Sequence, residues 1–514
     1  MSLISLSYFV FITLLAAIYY LTPLQYRWGI LCVGSIFFYL QLSTPLLLLC
    51  TLFMIGVAYI ATNYLIHTKH CIPIAITLEL IIWGIFQTNT FFVINSNRIL
   101  RLIGSDVAIQ LPNWVAPLGI SYFTLLLVGY ILDVSWGKST AEKNPFKLLL
   151  FTTFFPQTVT GPITRYDAMS NQLFMGQRFN YLSITFGVQR IIWGLFKKLV
   201  IAERLNGIVT FIYSTYETLP GFVLLLGMFA YTLQMYMDFS ASMDIVIGTG
   251  QLFGITLPEN FQTPFFSKNL SELWRRWHMT LGFWVKDYLL YPTLKSNTLR
   301  KLAKYTKKKF NKQIGKQIPT YLGMLVTWSF VGFWHGGSWK FIFGSGLFFF
   351  CMIVGGLLLE PLWNFIIKYL QINTNCFSYR LYQSTRTFVL FSVSIAFVRA
   401  SSAREGLLIY YRVITEFFSG LQSFDMLKLV YNEHTLSFVD IIELIVDYGV
   451  ILLICIAAVL LMEILQQKYS IRESLDQQNL PFRWCIWILL IFTILILGHY
   501  GPGYSASEFI YGGF

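Results

Sequence analysis

The sequence predicts an all-α polytopic membrane protein with about a dozen transmembrane or re-entrant helices. Three observations lead there. Of the 514 residues 56% are hydrophobic and only 12% charged, where a soluble domain carries roughly 25% charged residues. Apolar segments recur from end to end, many near the ~20 residues that cross a bilayer as a helix. No run of ~10 residues alternates apolar with polar side chains, which removes an outer-membrane barrel.

The first candidate span, residues 3–21, has no basic residue before it and no small-residue cleavage site, so it is expected to be a retained helix rather than a signal peptide. Further spans are expected at 28–42, 45–66, 72–94 and 114–134. Lys and Arg gather on the cytoplasmic side of membrane helices. Arg27, then His67, Lys69 and His70, then Lys138, Lys143 and Lys147 share one side if the N-terminus is extracytoplasmic; Arg98 and Arg101 dissent.

From 147 to 292 the pattern loosens. Proline, glycine and charge interrupt apolar sequence at 154–167 (FFPQTVTGPITRYD), 197–204 (KKLVIAER) and 237–244 (MDFSASMD). Such backbone is tolerated at membrane depth only where it is buried in protein or lines a watery cavity. Two crossings are expected here, 221–237 and 245–257. Asp238 and Asp244 are read as flanking a small-residue turn, either as satisfied structural carboxylates or as groups that line a funnel and orient a catalytic side chain. Arg165 is either a donor-phosphate contact or a snorkelling cation.

Residues 295–316 carry nine Lys/Arg and no Asp/Glu. That places them in the cytoplasm, as a topology signal and lipid anchor or as a dock for an acidic carrier. Onward from this anchor, 319–333 rises through the membrane and 341–359 returns. Residues 387–398, 451–465 and 484–497 cross in turn, leaving a loop of about 399–447 and the C-terminus extracytoplasmic. The chain shows no internal repeat and no low-complexity segment, so one integral-membrane domain, 1–514, is expected. Its net charge of +13 suits loops facing anionic lipid, and no nucleic-acid motif accompanies it. Seven scattered cysteines with no CxxC indicate neither a metal site nor a disulfide framework.

Two stretches could carry chemistry. In 327–340 (TWSFVGFWHGGSWK) His335 sits between two apolar runs, next to Trp334 and before two glycines. An ionisable group at that depth is a functional-site candidate; the alternative is a helix-breaking turn whose imidazole bonds a carbonyl. In 269–292 (NLSELWRRWHMTLGFWVKDYLLYP) apolar side chains recur at helical spacing, with Glu272, Arg275, Arg276 and Lys286 largely to the other side. One amphipathic interfacial helix is expected, with His278 at the border of its apolar face. Two histidines with nearby arginines suit acyl transfer. A neutral imidazole takes the proton of an attacking hydroxyl, and positive charge or an N–H donor steadies the oxyanion. No GxSxG elbow is present, so a serine acyl-enzyme is not indicated.

The motifs WRRWH (274–278) with the following FWVKDYLLYP, GFWHGGSWK (332–340), PLGISYFT (117–124), FFPQTVTGPITRYD, MDFSASMD, PENFQTPFFSKNLSELW and the terminal YGPGY and FIY resemble the membrane-bound O-acyltransferase (MBOAT) family. The likeness is strongest to its bacterial polysaccharide-modifying branch of alginate O-acetyltransferases and teichoic-acid D-alanyl transfer proteins. It runs from about residue 117 to the C-terminus, with core motifs at 117–340. It implies a ring of helices around a thinned centre with a funnel on each face, His335 as catalytic base and His278 as the second functional position. Arg275, Arg276, Trp334, Asp238, Asp244 and Arg165 are candidate funnel or donor contacts beside them, a reading of the residues rather than of the resemblance. It also implies an acyl thioester, on coenzyme A or on a carrier protein's phosphopantetheine, arriving from the cytoplasm as substrate rather than as a bound cofactor. The acyl group, acetyl or else D-alanyl, is passed towards hydroxyls of an extracytoplasmic polysaccharide, with an SGNH-type transferase as partner. The last six residues fit the FxYxxF pattern of related acyl-export systems, making Tyr511 either an acyl relay or an aromatic interface anchor. From a different class, a transporter or flippase would show paired broken helices in two repeated halves, which are absent.

Overall fold

Caps written into the sequence set where several helices begin. Thr44 precedes Pro45 and accepts the Leu47 N–H at 3.4 Å, opening Pro45–Asn63. Asn144 does the same for Pro145–Thr153, accepting from Phe146 at 2.9 Å. Asn269 caps Leu270–Arg276 at 2.9 Å, and Glu272 reaches back to the Lys268 N–H. Each supplies an acceptor to an N–H that the first helical turn leaves unpaired. The computed structural model describes residues 1–68, 70–112, 115–417, 429–431, 434–436, 449–501 and 509. About half of the expected 399–447 loop, and Tyr511, lie outside them.

Among the described residues the chain is helical apart from a two-stranded antiparallel hairpin, Leu429–Tyr431 with His434–Leu436. Five helices are long and apolar enough to cross a membrane: Pro45–Asn63, Gly221–Leu252, Trp339–Tyr369, Phe377–Arg399 and Leu480–Leu497. A sixth is added if Cys71–Gln87 and Asn89–Leu102, bent by 75°, count as one span; Leu6–Leu21, Ile120–Ser135 and Val450–Gln466 are shorter apolar helices. The protein is therefore a multi-pass helical membrane protein. Among the described residues five or six helices thus qualify by length and composition, with three shorter apolar helices beside them, and bends and short pieces divide what reads in sequence as continuous apolar chain.

The Gly221–Leu252 helix is the axis of the fold. It is buried without interruption from Gln234 to Gly250. This corrects the expected pair of crossings at 221–237 and 245–257, and with it the turn between Asp238 and Asp244. Both aspartates lie inside one 32-residue helix. The break is unnecessary because the carboxylates meet cations from the neighbouring stretch, as described below. The Tyr181–Leu195 helix packs closely on this axis: a Cβ on Gly187 would meet the Gly248 carbonyl at 2.7 Å, and the reverse contact is the same. Small residues at such crossings let helix backbones approach.

Two further expectations are corrected. The span expected at 72–94 ends at Thr88, where the chain turns by 75°. Thr88 Oγ1 donates to the Gly84 carbonyl at 2.8 Å, and the turn after His335 packs onto this bend. Gly337 there has φ +51, and a Cβ on it would come within 2.8 Å of Thr88 Cγ2. Only glycine fits both demands. The second correction is the amphipathic helix expected over 269–292. It is split into Leu270–Arg276 and Met279–Val285 by an extended Trp277 and a left-handed His278, and continues as a π-helical turn at Lys286–Leu290. Helical spacing of the aromatics is overridden by a bridge between Trp277 and Phe261, with Gln262 N–H donating to the Arg276 carbonyl at 2.9 Å.

Candidate active site

The helix Ile314–Trp334 ends at His335, and the turn through Gly336, Gly337 and Ser338 starts the helix Trp339–Phe341, which runs through a π-helical turn, Ile342–Phe348, into Phe349–Tyr369. His335 thus stands where two apolar helices meet. π turns recur at functional sites because they open the backbone ladder and re-aim side chains. Both this turn and Lys286–Leu290 flank the histidine-bearing segments.

His278 and His335 are both buried, and they face one cavity of about 380 Å³. Trp334, Gln87, Ser121, Thr160 and Phe239 also line it. Trp334 bridges the pair: its ring lies 5.1 Å from His335 and 6.4 Å from His278, and its Nε1 donates to the Ser121 carbonyl at 3.3 Å. Phe239, from the axial helix, meets the His278 ring edge-on at 4.9 Å. His335 also walls a second, far smaller void of about 20 Å³ lined by Trp274, Trp277, Ser345 and Phe349 among others.

The His278 ring is held from behind. Its Nδ1 lies 3.2 Å from Asn260 Oδ1, which also accepts the Thr280 backbone N–H at 3.1 Å and the Thr280 hydroxyl at 2.9 Å. The Thr280 hydroxyl in turn accepts the Ile163 N–H at 3.0 Å. The stretches read separately in sequence as 154–167, 258–274 and 274–278 therefore converge on one imidazole.

The other expected site residues fall elsewhere. Arg276 pairs with Glu272 at 2.7 Å and donates to Thr263 Oγ1 at 3.2 Å, while Arg275 is exposed. Arg165 pairs with Asp287 and lines a separate cavity of about 330 Å³, shared with Asp133, Thr164, Thr280 and Tyr288. Asp244 receives Arg190 at 2.8 Å and Lys197 at 2.7 Å, and Asp238 receives Lys198 at 2.6 Å. Lys198 also pairs with Glu203 at 2.7 Å, and Arg190 forks onto Glu259 at 2.5 and 2.6 Å. This paired network packs the 197–204 stretch, which is a π-helical turn at Phe196–Ala202, on the axial helix. Sequence reading missed Asn260, Thr280 and Arg190. A polar Asn in the middle of PENFQ was the one available signal for the first.

Residues 142–306 match the membrane-bound O-acyltransferase family. The protein named "Probable alginate O-acetylase AlgI" from Azotobacter vinelandii is 30% identical over 348 residues, 65% of this chain and 64% of its own length. A peptidoglycan O-acetyltransferase from Helicobacter pylori is 30% identical over 50% of each chain. A teichoic acid D-alanyltransferase from Bacillus subtilis is 30% identical over 45% of this chain and 56% of its own. The chain thus spans just under two thirds of the Azotobacter protein, and less of the other two. Its likeness to the membrane-bound O-acyltransferase family lies in residues 142–306, a stretch that holds His278 but not His335.

Proposed function

We propose that this protein is an integral-membrane O-acyltransferase that takes an acetyl group from a cytoplasmic thioester and delivers it to hydroxyls of an extracytoplasmic polysaccharide. The observation that carries this reading is the pair His278 and His335 facing one cavity at the junction of two apolar helices. The relatives named for O-acetylation of alginate or peptidoglycan support the reaction class. Alginate O-acetylases align over 65% of this chain and the D-alanyltransferase over 45%, which favours acetyl over D-alanyl.

In this reading His335 is the base. Its neutral imidazole takes the proton of the acceptor hydroxyl as that oxygen attacks the thioester carbonyl. The tetrahedral intermediate collapses with breakage of the C–S bond, and the imidazolium returns the proton to the departing thiolate. Ester and free thiol are the products. His278 positions the acceptor hydroxyl, and Trp334 packs between the two imidazoles. The whole chain, 1–514, acts as one unit with helices ringed about a funnel. Both termini are extracytoplasmic, and the basic 295–316 segment faces the donor, coenzyme A or a phosphopantetheinyl carrier. Tyr511 either anchors the C-terminus at the membrane interface or is itself the first acceptor hydroxyl, whose ester an SGNH-type transferase then passes to the polysaccharide; in both cases the acyl donor is consumed as substrate.

The test is His335→Ala in a strain lacking the wild-type gene, with ester-linked acetate on envelope polysaccharide measured after mild alkali. Acetate is expected to fall by at least about 100-fold at unchanged protein abundance; normal acetylation defeats the mechanism.

A further inference from the structure

We propose that Asn260 is a positioning residue for His278: it holds the proton on Nδ1 and so makes Nε2 the proton-accepting nitrogen of that ring. The catalytic half of this proposal rests on the two-histidine cavity being the acyl-transfer site.

The orientation of the Asn260 amide is fixed from both ends. Its oxygen faces the Thr280 backbone N–H at 3.1 Å, a group that can only donate. Its NH₂ faces the sulfur of Met243 at 3.2 Å, a weak acceptor. Turning the amide over would set NH₂ against N–H and oxygen against sulfur, losing both contacts. The Thr280 hydroxyl adds to the lock. It accepts the Ile163 N–H at 3.0 Å, which directs its own proton to Asn260 Oδ1 at 2.9 Å.

The third group on Oδ1 is His278 Nδ1, at 3.2 Å. A carbonyl oxygen only accepts, so Nδ1 must carry the proton. In a neutral imidazole the other nitrogen, Nε2, then has the lone pair. Left to itself, imidazole samples both tautomers, and a base that needs one of them works only for the fraction of time it has it.

The backbone shows Asn260 holding the same residue by a second route. His278 sits at φ +46, a left-handed conformation that is costly for a non-glycine residue. Such a conformation persists where its surroundings over-determine it. Here Asn260 does so twice. Its main-chain carbonyl accepts the Met279 N–H at 3.0 Å, and its side chain takes the ring. The strain places the imidazole in the cavity instead of along the face of a continuous helix. Asn260 itself is fully buried and does not line the cavity; it acts through His278.

The test uses the full-length protein in detergent with ¹⁵N-labelled histidine, the His278 signals identified by their loss in His278→Asn. Wild type is expected to show His278 as the Nδ1–H tautomer, and Asn260→Leu to shift it towards Nε2–H or a mixture. Acetate incorporation should fall at least about tenfold in Asn260→Leu at unchanged abundance. If that variant does not accumulate, Thr280→Val makes the same measurement with a smaller loss, and Thr280→Ser, which keeps the hydroxyl, should restore the rate. An Nε2–H tautomer in the wild type, or an unchanged spectrum in Asn260→Leu, overturns the proposal. Full acetylation by His335→Ala and His278→Asn would instead sink the reading of the cavity, while the spectrum still decides whether Asn260 holds the ring.

Discussion

Two buried polar regions lean on the same axial helix and put their charge to opposite uses. In one, Arg190, Lys197 and Lys198 close onto Asp238, Asp244, Glu203 and Glu259 at 2.5–2.8 Å. In the other, two imidazoles look into a void of about 380 Å³. Formal charge is dense in the first and absent from the second when the histidines are neutral. The contrast separates two reasons for a polar group to lie deep in a membrane protein. Groups that spend their hydrogen bonds on each other hold helices in register. Groups that face a void instead of an opposite charge are placed to meet a ligand.

The largest expected effect follows from breaking the closed region. Asp244→Asn leaves Arg190 and Lys197 facing a neutral amide, with Glu259 and Ser240 as their remaining contacts. Removing one partner of a buried ion pair costs about 3–5 kcal/mol, so the variant should show a much lower melting temperature in detergent and reduced abundance in the membrane. His335→Ala should leave both unchanged while acetylation is lost. If Asp244→Asn is as stable as wild type, the network is not what fixes the 197–204 turn on the axis. If His335→Ala unfolds the protein, the open region is structural as well.

A smaller effect tests the turn that carries the open region. Gly337→Ala puts a side chain at φ +51 and against Thr88, a strain of about 1–2 kcal/mol. Thr88 forms the bend below, so relief must come from moving the 335–338 turn. Acetylation should fall several-fold, with a modest drop in melting temperature. Wild-type activity together with wild-type stability would show that His335 tolerates displacement.

Much of this contrast was legible in the sequence, but unevenly. The HGG turn between apolar runs could be read because glycine after an ionisable residue at helix depth has few structural uses, and the Ile314–Trp334 and Trp339–Tyr369 helices meet there. His278 could be singled out, but its geometry could not. The apolar spacing of 269–292 fits a helix, and only a long-range bridge from Trp277 to Phe261 breaks it. Asp238 and Asp244 were misplaced at a turn for a related reason. Charge inside apolar sequence looks like a break until its partners, 40 to 54 residues away on Lys198 and Arg190, are known. Local periodicity carries helix type well; it carries nothing about which distant residue will satisfy a buried polar group. Asn260 belongs to that class, since its whole significance lies in contacts with Thr280, Met243 and His278.

A third region sharpens the comparison, because among the described residues its charges neither pair off nor face a void. Lys301, Lys304 and Lys308 are exposed on the Asn297–Lys309 helix, and their spacing of three and four puts them on one face. Exposed charge acts on encounter rather than on bond-making, and salt screens it beyond ~8 Å at physiological ionic strength. Replacing all three with Gln should therefore raise KM for the thioester donor by a few-fold at low salt and leave kcat alone. The difference should shrink to nothing in roughly 0.5 M salt, where the Debye length falls to a few ångströms. A change in kcat would mean that this helix reaches the chemistry after all. A KM unchanged at low salt would mean that the donor enters elsewhere and that the basic face serves the lipid surface alone.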